Sequence, residues 1–184
     1  SLPRNFTPLR ILELGPGDGF FLRGVRSVFP EATYYAWDIV PEVARAMQEE
    51  HGFSPLSGGF EKLKTRERFD LVIARDVIEH FAETGKVLKQ VANLLEPGGL
   101  FHFITPNGHE DLWKFYVLSR LQSDQEGELL LNHVNYFDGK SLADYLESIG
   151  LSRVEYYTYD FSSWKMGIGW NVISRLAANS IRLS

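Results

Sequence analysis

Short apolar runs alternate along the chain with longer segments whose apolar positions recur every three or four residues. "RILELG", Arg10 to Gly15, is mostly apolar, as expected of a strand buried on both faces. "GFFLRGVRSVF" follows with Phe21, Leu22, Val25, Val28 and Phe29 at helical spacing, and Pro30 stops it. "TYYAWDI" is β-branched and aromatic, a second strand. Pro41 suits the first turn of the helix "PEVARAMQEEHG", and Gly52 marks its end. "FDLVIAR" is another buried strand, and "TGKVLKQVANLLEPGG" is an amphipathic helix capped by Thr84 and ended by Pro97-Gly98-Gly99. "LFHFIT", "DGKSLADYLESIG" and "SRVEYYTY" then read as strand, helix and strand.

This alternation predicts an α/β fold: a Rossmann-like, doubly wound, mostly parallel sheet with helices on both faces. Such sheets bind ligands beyond the carboxyl ends of their strands, where strand order reverses. The chain reads as one domain over residues 1–184, with an insertion at about 106–135 placed to cover a substrate. That insertion contains "DLWKFYVLSRL", a segment of helical spacing.

The 184 residues suffice for one domain with a sizeable core. A formal charge of −5 would repel a nucleic-acid backbone. The absence of cysteine removes disulfides, cysteine zinc sites and thiol nucleophiles. No apolar run approaches the roughly 20 residues of a membrane span, and no secretory signal opens the chain, so a cytoplasmic location is expected. The first residue is serine, which leaves room for a missing upstream segment.

The chemistry concentrates in "ILELGPGDGF", where Gly15, Gly17 and Gly19 alternate after a strand. A phosphate-gripping loop needs G-x-x-x-x-G-K-[ST], a pattern that occurs nowhere in this chain. The dinucleotide pattern G-x-G-x-x-G would need its third glycine at Phe20 or Leu22. Asp18 is moreover a poor neighbour for a pyrophosphate. A ligand with an amino-acid end and a sulfonium would accept Glu13 and Asp18, and that ligand is S-adenosylmethionine. The glycines would let it lie close against the backbone. Asp38 stands about 20 residues on, at the end of the second strand, where an acid takes the ribose hydroxyls.

"ILELGPGDG", "YYAWDIVPEVARAMQ", "FDLVIARDVIEHF" and "VANLLEPGGLFHFITPN" resemble, in order and spacing, successive motifs of the class I S-adenosylmethionine-dependent methyltransferases. The resemblance covers roughly residues 9 to 107, and "HVNYFDGKSLADYLESIGL" looks like the family's later helix and strand. The nearest group is that of small-molecule and ubiquinone-biosynthesis O-methyltransferases. The resemblance implies S-adenosylmethionine as cofactor and S-adenosylhomocysteine as product. It implies that Gly15, Gly17 and Gly19 shape the turn against the methionine moiety, and that Glu13 and Asp18 face its ammonium. Asp38 would take the ribose and Ile39 pack on the adenine. Where the family has an acid for the adenine amino group this chain has Gly59, followed by Phe60, so stacking and backbone groups are expected there. Arg75 would pair with the methionine carboxylate. The family's last strand runs antiparallel beside "SRVEYYTY", but "WNVISRLAANSIRLS" reads more like a helix, so that strand is expected to be short or missing.

Several residues keep plainer alternatives. Asp38 would serve equally to cap the helix at Pro41, and Arg75 to pair with Asp76 or Glu79. Glu79-His80 would organise its loop; some quinone-modifying relatives hold a divalent ion with acids near here, but no metal is assigned. His102 reads as a sheet residue. His80, and His109 and His133 at the two ends of the insertion, are the candidate general bases. Trp113, Phe115, Tyr116 and Tyr136 would line an apolar pocket or simply pack.

The expected chemistry is in-line displacement at the sulfonium methyl carbon, with alignment and water exclusion as the protein's main tasks. The chain has "ARDVIEHF" where nucleobase amino-methyltransferases carry [Asp/Asn/Ser]-Pro-Pro-[Tyr/Phe], which argues against nucleic acid. A small-molecule acceptor is expected, most simply at oxygen, with no membrane insertion and no indication of oligomeric state. The rivals are a non-catalytic S-adenosylmethionine-binding module of a larger assembly and a nicotinamide-dependent oxidoreductase.

Overall fold

Buried strands and amphipathic helices alternate as the apolar pattern requires. The computed structural model describes residues 6–108, 112, 116, 120, 133–162 and 172–183, from residue 157 on through the backbone alone. β1 (Arg10–Leu14) leads to α1 (Phe20–Val28), β2 (Thr33–Trp37), α2 (Pro41–His51) and the short β3 (Ser54–Leu56). The chain then returns through β4 (Phe69–Arg75), α3 (Thr84–Leu94) and β5 (Leu95–Pro106). α4 (Gly139–Ser148), β6 (Leu151–Ser152), β7 (Glu155–Ser162) and β8 (Val172–Leu183) complete the described elements.

The strands form one sheet in the order β3-β2-β1-β4-β5-β8-β6, with β7 also paired to β8. β1 to β5 pair in parallel, and β8 runs antiparallel to β5, β6 and β7. The order reverses between β1 and β4, which fixes where a ligand cleft opens.

Strand alternation divides the core between the two faces. Ile11 packs with Leu22 of α1, Met47 of α2 and Ile73 of β4 on one side. Leu12 and Leu14 pack with Val87 and Val91 of α3 and Leu142 of α4 on the other. Each such buried aliphatic side chain stabilises the fold by about 1.5–3 kcal/mol. Glu13 belongs by alternation to the α1 face, a carboxylate among apolar neighbours.

The ends of the helices follow local chemistry, with one shift. Pro41 occupies the first turn of α2, and Gly52 closes it in the left-handed region. Asp138 caps α4 by accepting a hydrogen bond from the Ser141 amide. The tripeptide Gly139-Lys140-Ser141 in this helix has Val134 where a phosphate loop would need its first glycine. Thr84, expected as a cap, is the first residue of α3, and Glu83 holds the cap position. The buried Thr84 hydroxyl instead donates to the carbonyls of Ile78 and Phe81, which closes the preceding loop.

From Val172 onward the chain departs from the helical pattern of "WNVISRLAANSIRLS". β8 begins at Val172 and takes in "SIRL" at its end, so the last strand is longer than the sequence suggested. Its residues have modest strand preference. What fixes it is pairing, because it completes the hydrogen bonds of β5 on one side and β7 on the other.

Candidate cofactor and active site

The glycine turn sits at the carboxyl end of β1, beside the ends of β2 and β4. The Gly15 amide donates to the Trp37 carbonyl at 2.8 Å, fastening the turn to the end of β2. Gly15 has φ +62°, and a Cβ there would lie 2.6 Å from Val77 Cγ2. Gly19 caps α1, and a Cβ on it would meet Met47 Sδ at 2.7 Å. Gly17, with φ +57°, differs from both: nothing lies within 4 Å of where its Cβ would be. Two of the glycines are therefore explained by packing, whereas Gly17 is exposed and a side chain there would meet nothing.

Asp18 is exposed, and its Oδ1 accepts from the Phe20 amide at 3.0 Å, steadying the entry to α1. Asp38 follows β2, half-buried, and its Oδ1 accepts from the Val40 amide at 2.9 Å. Val40 is itself the cap of α2, so Asp38 shapes the approach to that helix rather than capping it. A carboxylate has about four lone-pair sites, and one hydrogen bond leaves it acceptor capacity. Ile39 beside it is 78 % exposed, an apolar side chain between β2 and α2.

Gly59 is exposed and opens a single 3-10 turn at Phe60–Lys62. Phe60 does not match its expected stacking role. It is fully buried, 5.1 Å from the Trp37 ring and 6.5 Å from Phe81, and offers no open face to an adenine. The indole of Trp37 donates to the Gly58 carbonyl at 2.8 Å, so this aromatic cluster is the packed support of the loop.

Glu13 and Arg75 meet across β1 and β4. Arg75 Nε lies 3.5 Å from Glu13 Oε1, a pairing the sequence reading did not consider when it set Asp76 and Glu79 as alternatives. The Arg75 guanidinium also lies 4.0 Å over the Phe21 ring. Glu13 is fully buried, and neither carboxylate oxygen has a hydrogen-bond partner among the described residues. Burial pushes its pKa up to about 7, against the opposing pull of Arg75.

Beyond β4 a second cluster forms. Asp76 adopts a left-handed backbone with φ 53°, and its amide donates to the Ile104 carbonyl at 2.9 Å. Glu79 is buried, and Oε2 accepts from the Thr105 hydroxyl at 3.0 Å. Burial raises its pKa. Its carbonyl accepts from the amides of Val134 and Asn135, both at 3.1 Å. His133 is thereby brought beside His80, ring centroids 5.1 Å apart. One ligand atom from each of Glu79, His80 and His133 lies within 4.8 Å of the others, a set able to hold a divalent ion or to pass a proton. The sequence set Glu79 beside His80 and named His133 apart from them, as a general base at the end of the insertion; the structure brings the three together.

A family model for the methyltransferase domain matches residues 1–156. The chain belongs to this family. The methyl donor of the family is S-adenosylmethionine. The domain is 29 % identical over 123 residues to a ubiquinone biosynthesis O-methyltransferase of Nitrobacter winogradskyi, covering 65 % of this chain and 45 % of that protein. It thus spans about half the length of that curated relative. Among solved structures it resembles the plantazolicin methyltransferase BpumL, bound to a triazolic desmethylPZN analog and SAH. The TM-score there is 0.72 at 16 % identity, over 98 % of this chain and 79 % of that one. It also resembles the N-methyltransferase NodS of Bradyrhizobium japonicum WM9, in complex with S-adenosyl-L-homocysteine. That TM-score is 0.66 at 18 % identity, over 97 % and 80 % of the two chains.

Within this methyltransferase domain the two clusters occupy adjoining strand ends. Glu13, the glycine turn, Asp38 and Ile39 border β1 and β2, and Arg75 joins them from β4. Glu79, His80 and His133 lie past β4, next to the end of β5. His102 stays inside the sheet, in register with Ile73, and burial lowers its pKa. Hydrogen bonds fix the described residues on either side of 109–132: the Gly108 amide donates to the Phe137 carbonyl at 2.9 Å, and Asn135 Nδ2 to the Phe81 carbonyl at 2.6 Å. His109, Trp113 and Phe115 lie outside the described residues, while Tyr116 and Tyr136 are exposed. Sequence reasoning missed Thr105, Asn135 and Phe21, whose roles depend on tertiary neighbours. No helix among the described residues is long and apolar enough to cross a membrane.

Proposed function

We propose that this domain binds S-adenosylmethionine over the ends of β1, β2 and β4 and methylates a small-molecule acceptor at oxygen. Support comes chiefly from the open space at Gly17 combined with the buried, hydrogen-bond-free carboxylate of Glu13. A buried carboxylate in that state is costly unless a donor reaches it. When bound, S-adenosylmethionine supplies a methyl group on a positively charged sulfur.

The chain's own residues divide the remaining work. Gly15 and Gly19 hold the turn, and Gly17 allows a close backbone approach. Glu13 and Asp18 supply negative charge for an ammonium, Arg75 positive charge for a carboxylate, and Asp38 oxygens for hydroxyl groups. Ile39 covers an apolar ring, with Gly59 beside the loop that Phe60 anchors. His80 and His133 take a proton from the acceptor hydroxyl, with His109 a further candidate on the insertion. Residues 106–135 cover the acceptor, and residues 1–184 act as one domain.

Oxygen is favoured by the name of the ubiquinone biosynthesis relative, whereas NodS is described as an N-methyltransferase, so amines are the competing acceptors. The charge of −5 weighs against nucleic acid. Calorimetry with S-adenosylhomocysteine, followed by mass spectrometry of catechols, phenols and amines incubated with methyl-labelled S-adenosylmethionine, tests the proposal. Homocysteine-nucleoside binding and label on a hydroxyl are expected. Label on nitrogen would replace the oxygen reading, and heat with NADH but none with S-adenosylhomocysteine would overturn the cofactor site. Binding without transfer to any cell-extract metabolite would favour a non-catalytic binding module.

A further inference from the structure

Three groups past the end of β4 stand in order of depth. Glu79 is buried, His133 is half-buried and His80 is exposed. One ligand atom of each lies within 4.8 Å of the others, and the two imidazoles meet edge to face with centroids 5.1 Å apart. Glu79 and His80 belong to the single 3-10 turn Ile78–His80, whereas His133 comes from the residues ahead of α4.

Glu79 is fixed at both ends. Its carbonyl accepts the amides of Val134 and Asn135, which clamps the backbone next to His133. Its Oε2 accepts from the Thr105 hydroxyl at 3.0 Å, which sets the plane of the carboxylate. Oε1 is buried and has no hydrogen bond among the described residues, and the Nδ1 of His133 is buried as well. A buried carboxylate oxygen without a donor is costly, and an imidazole N–H is a donor of the right chemistry. Burial disfavours charge on Glu79, so its ionised form needs a second donor beside Thr105. Hydrogen bonds between catalytic groups are often long in an unliganded site and tighten when it fills.

We propose that Glu79 is the positioning residue for His133, and that His133 rather than His80 is the general base for the acceptor hydroxyl. The Nδ1–H of His133 donates to Glu79 Oε1, which leaves Nε2 bare to accept a proton. The inference rests on methylation of a hydroxyl by this domain. The acceptor oxygen keeps the electron pair with which it bonds the methyl carbon, and its proton passes to His133 Nε2. The imidazolium, stabilised by Glu79, returns the proton to water by way of the exposed His80. No further reactant is needed.

Thr105 makes the role separable from a structural one. In Glu79→Gln the side-chain carbonyl stays with the Thr105 hydroxyl, so the amide nitrogen turns to His133. That nitrogen donates where the carboxylate accepted, and the imidazole takes the opposite tautomer, with its proton on Nε2. The backbone clamp to Val134 and Asn135 is untouched.

The test is nitrogen-15 NMR of the imidazoles in the full labelled chain, with and without S-adenosylhomocysteine. It is run at about pH 8.5, above the usual imidazole range, and His133→Gln identifies the His133 signals. His133 is expected in the Nδ1–H form in the S-adenosylhomocysteine-bound chain and in the Nε2–H form in Glu79→Gln. The Nε2–H form with and without the nucleoside, or one tautomer in both chains, would overturn the positioning role. The second arm uses methyl-labelled S-adenosylmethionine and whichever catechol or phenol accepts label. Glu79→Gln and His133→Gln should lower kcat about 10²- to 10⁴-fold with KM changed less than about threefold. His80→Gln should lower it less than about tenfold, and a larger loss there than in His133→Gln would overturn the assignment of the base. Activity lost on dialysis against EDTA and restored by magnesium or manganese would overturn it too, because the three groups would then hold an ion. Label on no hydroxyl would instead remove the transfer reading, while the tautomer still decides the Glu79–His133 bond. If Glu79→Gln fails to fold, the tautomer of the unaltered chain decides alone.

Discussion

Thr105 and Glu79 are joined in the interior, where the threonine hydroxyl at the end of β5 donates to Glu79 Oε2 at 3.0 Å. The backbone carbonyl of the same glutamate receives the amides of Val134 and Asn135. One residue thus ties the loop after β4 to β5 and to the segment ahead of α4, and it sets His133 beside His80. Thr105→Val keeps the shape of the side chain and removes the donor. Both Glu79 oxygens would then be buried without a hydrogen bond. Urea unfolding at pH 7 should show a loss of about 1–3 kcal/mol. A loss under a few tenths would mean that water replaces the hydroxyl.

Gly15 and Gly17 share a left-handed backbone but differ in what surrounds them. Gly15→Ala adds the collision with Val77 to the backbone strain of about 1–2 kcal/mol. Gly17→Ala adds the strain alone. The first variant should be clearly the less stable of the two in thermal unfolding. Gly17→Ala should remain folded yet lose S-adenosylhomocysteine affinity, because its methyl fills the space left for the ligand. Equal affinity in Gly17→Ala and the unaltered chain would show that the ligand lies elsewhere.

The long parallel strands were legible because strands buried on both faces are written as mostly apolar runs, as in "LVIA", whereas the short, half-buried β3 carries no such run. The glycine turn was legible because its spacing excludes other ligands. β8 was not: Ile173, Leu176, Ala177 and Ser180 are spaced as on a helix, and only the edges of β5 and β7 make the segment a strand. Depth was equally hidden for Phe60, which follows Gly59 in sequence but is drawn into the core by Trp37 and Phe81. The Glu13–Arg75 contact needed the strand order. Once β1 lies beside β4 with Glu13 opposite Ile73, Arg75 falls two residues on along the same face. His80 and His133 are distant in sequence, and their meeting depends on the hydrogen bonds to Glu79.

Asp38 shapes the entry to α2 and is proposed to hold hydroxyl groups, and two substitutions separate these roles. Asp38→Asn keeps an oxygen for the Val40 amide, whereas Asp38→Ala removes it. Thermal unfolding should be little changed for the asparagine variant and lowered by about 1 kcal/mol for the alanine variant. Both should bind S-adenosylhomocysteine more weakly, by about 1.5–3 kcal/mol for loss of the charged acceptor. Unchanged affinity in both variants would leave Asp38 with only its structural part.

Burial of Glu13 also imposes a direction on stability in the absence of ligand. Its pKa stands at about 7 in the fold against a model-peptide value of 4.5. Between those values the folded chain binds more protons than the unfolded one, so this group makes stability fall as pH rises, until the fall levels off above about pH 7. The full effect is on the order of 3 kcal/mol. Glu79, raised by burial as well, acts in the same direction, whereas His102, lowered by burial, acts oppositely. The difference between the unaltered chain and Glu13→Gln isolates Glu13 from both. Urea unfolding near pH 4.5 should find the two chains of similar stability, because Glu13 is then protonated in the fold. At pH 8 Glu13→Gln should be the more stable by roughly 2–3 kcal/mol. Parallel stability curves would show that Arg75 alone satisfies the Glu13 charge, and a variant less stable at pH 8 would show that the pair contributes more than burial costs.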